Sequence, residues 1–558
     1  DIRNKSGKKP VAEKFLMPAI SRTSGIKPAF LWDKTAYVFG VTGIEEKGED
    51  GKSVIVPGQA KRTLKEHQAF VDFHEEKLGT AEDEGLRALL AFLQKWSPQQ
   101  WEQSGFSNEA LDQNIVFRLK GNHERIDQRP AAISLIGNDQ TSHGEMAMCL
   151  VEGVKTSFAV NQPQFKGIAG AQSSGAPIVS FNSDAYESFG KSRGANAPVS
   201  EAAAFRYGAA LNWLLDRSNA RSLRMGEATV VFWADEKDVG EAAAEKAEEA
   251  WGGFFDPIEK DTDKEQADTI RNELANVAAG RAAPDGSGLK PETRMHILAL
   301  SPNAGRIAVR FWLSDTFGHL AKNLLQHETD LAIEPSAFKG NPKAWALLYE
   351  TAAQRKAENI PPRLGGELMQ AILTGQRYPR TLLAALIGRI RADKEINGPR
   401  AALIKAVLNR DLRKREGDEI KEGISMALNE NSKDQAYNLG RLFAVYEYAE
   451  KSVASRNATI KDKFIGAASA TPRRVFPIIM RGYEHNASKL AKGSDQQRGS
   501  GVRASRVISQ ILGLFDGDAD FPTALKLEDQ ARFFVGYYHQ NAAMYTKKQD
   551  TDAKDNPQ

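Results

Sequence analysis

From Trp312 to the end of the chain, almost every segment repeats its apolar residues at helical spacing, with glycine or proline between segments. Helices of that kind must bury their stripes against one another, so this half is expected to fold as packed helices. The chain before it reads differently. Strand signals stand at Ala36–Val41, Ser53–Val56, Ile115–Leu119 and Ala131–Ile136, and helical periodicity at Gly85–Trp96 and Glu201–Leu215. Ser200 sits where an N-cap belongs. Thr229–Trp233 reads as a buried strand and Met295–Leu300 as strand-like. The expected fold class is α+β: a mixed α/β N-terminal region, then a mainly α-helical C-terminal half ending in a helical bundle.

A chain of 558 residues exceeds one core, so about three or four domains are expected. Composition and pattern divide the chain near 235 and 300. The second division opens acidic: residues 235–268 hold thirteen acids and four lysines, a net of −9. Its alanines and glutamates favour a solvated helix that Gly252-Gly253 breaks. The single cysteine, Cys149, excludes a disulfide framework and a Cys-based zinc site and fits a reducing cytosol. No apolar run reaches the length of a membrane span.

Asn161–Ser200 is unlike both halves. It strings together Lys166-Gly167, Gly170-Ala171-Gln172-Ser173-Ser174-Gly175, Asn182 and Asn196, with a β-like run at Ile178–Phe181. Open glycine backbone with short uncharged hydrogen-bonding side chains lets a phosphate chain or a base edge approach closely. Asn and Gln pair with adenine, Ser with any base edge, and Lys with guanine or phosphate. Lys166, Gln172, Ser173, Ser174, Asn182 and Asn196 are therefore candidates for nucleic-acid contact. A plain alternative is that they satisfy backbone groups in a buried turn.

Whole-chain charge is only +3, so its distribution carries the argument. Residues 1–35 hold eight basic side chains, Arg22 among them, against three acids. Between Arg377 and Arg415 eleven basic residues face three acids, a net of +8. There Arg391, Lys405 and Arg413 are nucleic-acid candidates, the last two expected to fall away from the stripe of Leu403, Ile404, Val407 and Leu408. Between Arg473 and Arg506 eight basic residues face two acids, and Arg503 and Arg506 lie opposite the stripe Ala504, Ile508, Ile511, Leu512, Phe515. One-signed patches on a nearly neutral chain favour a polyanion.

Catalytic motifs come close and fail. Gly51-Lys52-Ser53 lacks the first glycine of a P-loop, since Glu46 stands there, and a strand follows where a helix is required, so a hairpin turn is expected. Gln172-Ser173-Ser174-Gly175 is followed by Pro177, not the helix of a nucleophile elbow. The nine histidines have no metal-ligand spacing. No catalytic residue, metal or cofactor is nominated.

Five blocks, taken in order, carry a resemblance. They are Arg22–Gly25 with Phe30–Asp33, the 161–200 stretch, Ser301–Asn303 with Val309–Trp312, Arg389–Arg391 with Arg400–Lys405, and Phe533–Gln540. Together they resemble the large subunit of the type I-C CRISPR surveillance complex, Cascade; the acidic segment 235–268 departs from the pattern. The resemblance implies a non-catalytic cytoplasmic subunit of an RNA-guided DNA-binding assembly. Residues 1–235 would read the PAM in double-stranded target DNA, 236–300 would be an insertion and connector, and 301–425 a helical domain. Residues 426–558 would resemble the small subunit lining the displaced strand. Implied partners are the guide RNA, held through the complex, the backbone, repeat-RNA-processing and small subunits, and a helicase-nuclease that the chain recruits. It also implies a small subunit made from inside the same gene, for which Met426, after Lys421-Glu422-Gly423, is the candidate start. From the residues alone, a stand-alone metal-dependent nuclease or hydrolase and a protein-binding helical scaffold stay open.

Overall fold

The computed structural model describes residues 3–4, 11–12, 17, 26–47, 53–137, 145–237, 239–255, 272, 275–279, 289–338, 344–416, 423–453, 458–515 and 520–546. The chain forms two compact units, one of residues 1–163 with 179–210 and one of 164–178 with 211–558. The Gly/Ser/Asn stretch is thus divided between them.

In the first unit β1 (Arg3–Asn4) pairs with β2 (Val11–Ala12). β3 (Trp32–Lys34) leads into a single turn, α1 (Thr35–Val38). β4 (Thr42–Lys47) and β5 (Ser53–Gly58) form an antiparallel ladder, as a hairpin at Gly51-Lys52-Ser53 requires, although residues 48–52 are outside the described set. α2 (Thr63–Leu78) and α3 (Glu84–Lys95) follow, then β6 (Asn114–Val116), which pairs with β3. Leu31, Val38, Phe39, Phe70, Leu86, Leu89, Leu93 and Trp101 form the core. Asp83 caps α3 by accepting from the Leu86 N–H at 3.0 Å, and Arg129 anchors the cap from 2.8 Å. α4 (Pro130–Gly137) precedes a small hairpin of β7 (Met146–Met148) and β8 (Lys155–Ser157). Ser200 opens α5 (Glu201–Leu215) as expected, accepting from the Ala203 N–H at 3.0 Å.

The second unit starts with a two-stranded ladder, β9 (Gln164–Phe165) on β10 (Ala176–Pro177). Its main sheet is an antiparallel meander of β11 (Ser222–Met225), β12 (Ala228–Ala234), β13 (Arg294–Asn303) and β14 (Arg306–Thr316), bulged at Ala299/Leu300. The sheet runs across both composition boundaries, 235 and 300. Its inner face presents Val230, Phe232, Met295, Ile297, Ala299 and Phe311 to the core. α6 (Glu241–Phe255) packs there through Ala243, Ala244, Ala247 and Trp251.

After β14 come α7 (Phe317–Leu331), the short α8 (Ala344–Leu348), α9 (Leu364–Thr374), α10 (Arg380–Asp393) and α11 (Gly398–Glu416). The terminal bundle is α12 (Gln435–Val453), α13 (Ile460–Ala470), α14 (Pro472–Ala491), α15 (Asp495–Leu512) and α16 (Leu527–Tyr545). α12 and α16 touch backbone to backbone. A Cβ on Gly440 would lie 1.8 Å from the Phe533 carbonyl oxygen, and one on Gly536 2.1 Å from that of Tyr437. One apolar cluster extends from the sheet into the bundle, where Leu439, Phe443, Phe476, Ile508 and Phe533 are buried.

Four local expectations are corrected. Ala36–Val41 is not a strand but α1 and a turn; its residues are buried almost throughout, and a continuous apolar run reads the same for strand and buried helix. Ala131–Ile136 is helical, with Pro130 as its first residue, where a missing N–H is harmless. Gly252-Gly253 does not break α6, and the helix is not simply solvated. Losing about 1 kcal/mol of propensity per glycine is offset by burying Trp251, and Gly252 lies close under Phe232. Ile178–Phe181 is not a strand, because pairing ends at Pro177.

Candidate nucleic-acid interface

The β9–β10 connection carries four of the sequence candidates. Phe165, Ile168 and Ala176 are buried beneath it, while Lys166, Gln172, Ser173 and Ser174 are exposed. Asn212 clamps its start: Oδ1 accepts from the Lys166 N–H at 3.1 Å and Nδ2 donates to the Gln164 carbonyl at 3.1 Å. The Gly175 N–H closes a turn on the Gln172 carbonyl at 3.0 Å. Gly167, Gly170 and Gly175 all have positive φ, at +84°, +78° and +102°, which explains the glycines. The side chains of Gln172, Ser173 and Ser174 make no hydrogen bond among the described residues. They stand in solvent as donors and acceptors, not in a buried turn.

Asn182 and Asn196 belong to the other unit. Asn182 is exposed. Asn196 is half-buried and committed to its own loop, donating to the carbonyls of Lys191 at 2.8 Å and Arg193 at 3.1 Å and accepting from the Ser188 N–H at 3.1 Å. For Asn196 the backbone-satisfying alternative describes the geometry. Arg22 lies outside the described residues.

The net +8 window on α10 and α11 is not an exposed patch. Lys405 is 4% exposed and Arg410 1%, so Lys405 does not fall away from the apolar face. Asp330 of α7 receives Arg410 Nε at 2.9 Å and Arg413 Nη2 at 2.5 Å. Arg410 also lies over the Tyr378 ring, 4.1 Å from its centroid. Arg400 is sunk between Glu350 at 3.1 Å and Asp393 at 2.6 Å, and Arg380 pairs with Glu528. Arg391, partly buried, donates to Gln530 of α16. Burial holds the Lys405 ammonium below its usual pKa, with Asp330 opposing that shift. Arg377, Arg380, Lys414 and Arg415 are the exposed cations of the α10–α11 window, Arg380 being the one among them paired to an acid of α16.

The α14–α15 window keeps its charge in water. Ala504, Ile508 and Ile511 are buried as expected, and Arg503 and Arg506 are exposed. Arg503 steadies itself on the Ala543 carbonyl at 2.7 Å, whereas Arg506 makes no hydrogen bond or ion pair among the described residues. On α14, Arg474, Arg481 and His485 recur on one side at 100° per residue, with Lys492 at the C-cap in line with them, and all four are exposed. Opposite charge is sparse: Arg473 pairs with Asp520 at 2.8 Å, Arg498 pairs with Asp495, and Glu484 stands exposed midway along α14.

The buried histidines act as packing groups. His327 bonds Tyr378 through Nδ1 at 2.5 Å, and His539 bonds Tyr437 at 2.8 Å. Desolvation pushes them down to about 3 and about 4, so both are neutral at physiological pH. Among the described residues no group of three or more His, Cys, Asp or Glu is placed to hold a metal ion, and no helix is long and apolar enough to cross a membrane.

A whole-chain comparison now bears on these surfaces. The family model described as CRISPR-associated protein (Cas_Csd1) matches residues 1–545. The chain belongs to that family. Comparison with curated proteins finds no match. As a CRISPR-associated protein it is consistent with a subunit of a Cascade complex.

The blocks that carried the resemblance take on physical roles. Phe533–Gln540 is the part of α16 locked against α12 at Gly440 and Gly536. In Val309–Trp312, Phe311 turns into the core while Trp312 is left 52% exposed. The sequence analysis did not single out that exposed tryptophan; strand alternation beside Phe311 is the signal that would have marked it.

Proposed function

We propose that this chain is the non-catalytic large subunit of a type I-C Cascade complex in the cytoplasm. In this role it reads the PAM in double-stranded DNA, supports the R-loop and the displaced strand, and recruits the helicase-nuclease. The observation that carries the DNA-binding part is the exposed cationic surface of α14 and α15, where acids are few. Cations held that way exchange counterions for phosphates, as a strand-guiding surface requires. The exposed loop of Gln172, Ser173 and Ser174 supplies neutral groups suited to base edges. Guide RNA, backbone, RNA-processing and small subunits are the partners this role demands.

An internally started product covering 426–558 is part of the same proposal. In the full chain α16 packs on α10 and α11, with Arg380 on Glu528 and Arg391 on Gln530. A free product would leave that side of α16 open for another subunit to cover.

Filter binding of labelled single-stranded and PAM-bearing duplex DNA by the assembled complex, at two salt concentrations and over a metal titration, tests the role. Affinity should fall with salt, favour the cognate PAM duplex, and bring no strand cleavage at any metal concentration. Metal-dependent turnover abolished by a single carboxylate substitution would install the nuclease alternative. DNA affinity absent at both salts would leave a protein scaffold.

A further inference from the structure

The outer face of the four-stranded sheet is covered at one end and open at the other. The β9–β10 hairpin covers the first end: the Ala169 N–H donates to Thr229 Oγ1 at 3.1 Å, and Gly170 sits against Pro302. At the open end three rings from three adjacent strands meet. Trp233 of β12 lies 5.4 Å from His296 of β13 and 5.2 Å from Trp312 of β14, centroid to centroid. His296 and Trp312 are 5.5 Å apart and stacked, 18° between planes.

Two properties mark this cluster as more than a lid on the sheet. Trp312, one of its two tryptophans, keeps 52% of its surface in water. His296 Nδ1 is buried with no hydrogen-bond partner among the described residues, a debt that a stabilising cluster normally avoids. The surroundings are polar. Arg294, two residues before His296 and hence on the same face, is exposed; Ser314, exposed, pairs across from His296; Asp235 is the carboxylate beside it. Lys166, Ser173 and Ser174 are exposed on the hairpin at the other end.

An apolar protein surface docked here would have to desolvate Arg294 and Asp235. A nucleobase would not, because it needs only a ring face, while its phosphate seeks a cation. We propose that this sheet face is a stacking site for single-stranded DNA, with one base on Trp312, a neighbouring phosphate toward Arg294, and the strand running on toward Lys166 at the hairpin end. The site rests on the DNA-binding function proposed above and adds to it a place where an unpaired strand is gripped by its bases.

The test uses the full chain and an oligo-dT strand, with Trp312→Ala, Trp312→Phe and the double variant Arg503→Ala/Arg506→Ala. Trp312→Ala should weaken binding about tenfold to a hundredfold with an unchanged salt slope, since it removes a stacking face and no charge. Trp312→Phe should restore most of that affinity while reducing the fluorescence quench on binding. Photocrosslinking of 5-iodo-deoxyuridine in the wild-type complex should map to Trp312 or its neighbours, which keeps the test decisive if the alanine variant melts. Wild-type affinity in Trp312→Ala, or crosslinks confined elsewhere, overturns the site; the DNA-binding function then stands if Arg503→Ala/Arg506→Ala still lowers the slope. Tighter binding of oligo-U than oligo-dT overturns DNA as the occupant, and oligo-dT that binds at no salt concentration overturns site and function together.

Discussion

Along α10 and α11 Arg400, Lys405 and Arg410 turn inward, whereas along α14 and α15 the arginines and lysines remain in water. Both windows carry a large positive excess, and both lie in the same unit. The difference lies in what covers the helices. α11 is enclosed by α7 and α16, so the side of the helix that its own sequence makes polar is also an inside face. Of the acids that answer it, Asp330, Glu350 and Glu528 come from outside the window, and Asp393 from within it. α15 buries one stripe and leaves the rest to solvent. Charge counted over a window therefore reports a surface only where no distant segment supplies the counter-charge.

The largest effect expected from this contrast is at Asp330. Asp330→Ala leaves Arg410, Arg413 and Lys405 around an empty acceptor, and losing one partner of a buried pair costs about 3–5 kcal/mol. Denaturant melts of the full chain should show it, with no change in the salt slope of DNA binding; an unchanged midpoint would mean the cluster is hydrated.

Acid should strike the same region next. His327 and His539 are held down to about 3 and about 4, while the unfolded chain titrates near 6.5. Between pH 6.5 and about 4 the unfolded state takes up protons that the folded state refuses. Stability therefore falls as pH falls, by about 1.4 kcal/mol per pH unit for each histidine. His539→Gln should flatten that dependence; a slope identical to wild type would place the acid sensitivity elsewhere.

Lys405→Met is expected to be neutral or stabilising by up to about 1–4 kcal/mol, because it removes a buried cation from a cluster already rich in them. A fall in DNA affinity at unchanged stability would instead return Lys405 to the nucleic-acid surface.

The smallest change in stability belongs to the exposed window. Arg503→Ala/Arg506→Ala should move the melting free energy by less than about 0.5 kcal/mol per site. It should also shallow the slope of log affinity against log salt by about 1.4 for a single strand. A constant slope would mean that this face meets protein, not phosphate.

Much of the local structure was legible in the residues: Ser200 with α5, the β4–β5 ladder, β12 and β13, and the stripe Ala504, Ile508, Ile511. Each is set by interactions within about one turn or one strand pair, which periodicity and capping report directly. The exposed side chains of Lys166, Gln172, Ser173 and Ser174 follow from glycine turns that the sequence also displays. What the tertiary structure alone decided is everything that depends on a distant partner. It sank Lys405 and Arg410 against Asp330. It pressed Gly440 onto Phe533, and it brought Trp233, His296 and Trp312 from three strands onto one face. The sequence fixes which faces are apolar, but a residue's final surroundings depend on segments scores of residues away, and no local pattern encodes which of them arrives.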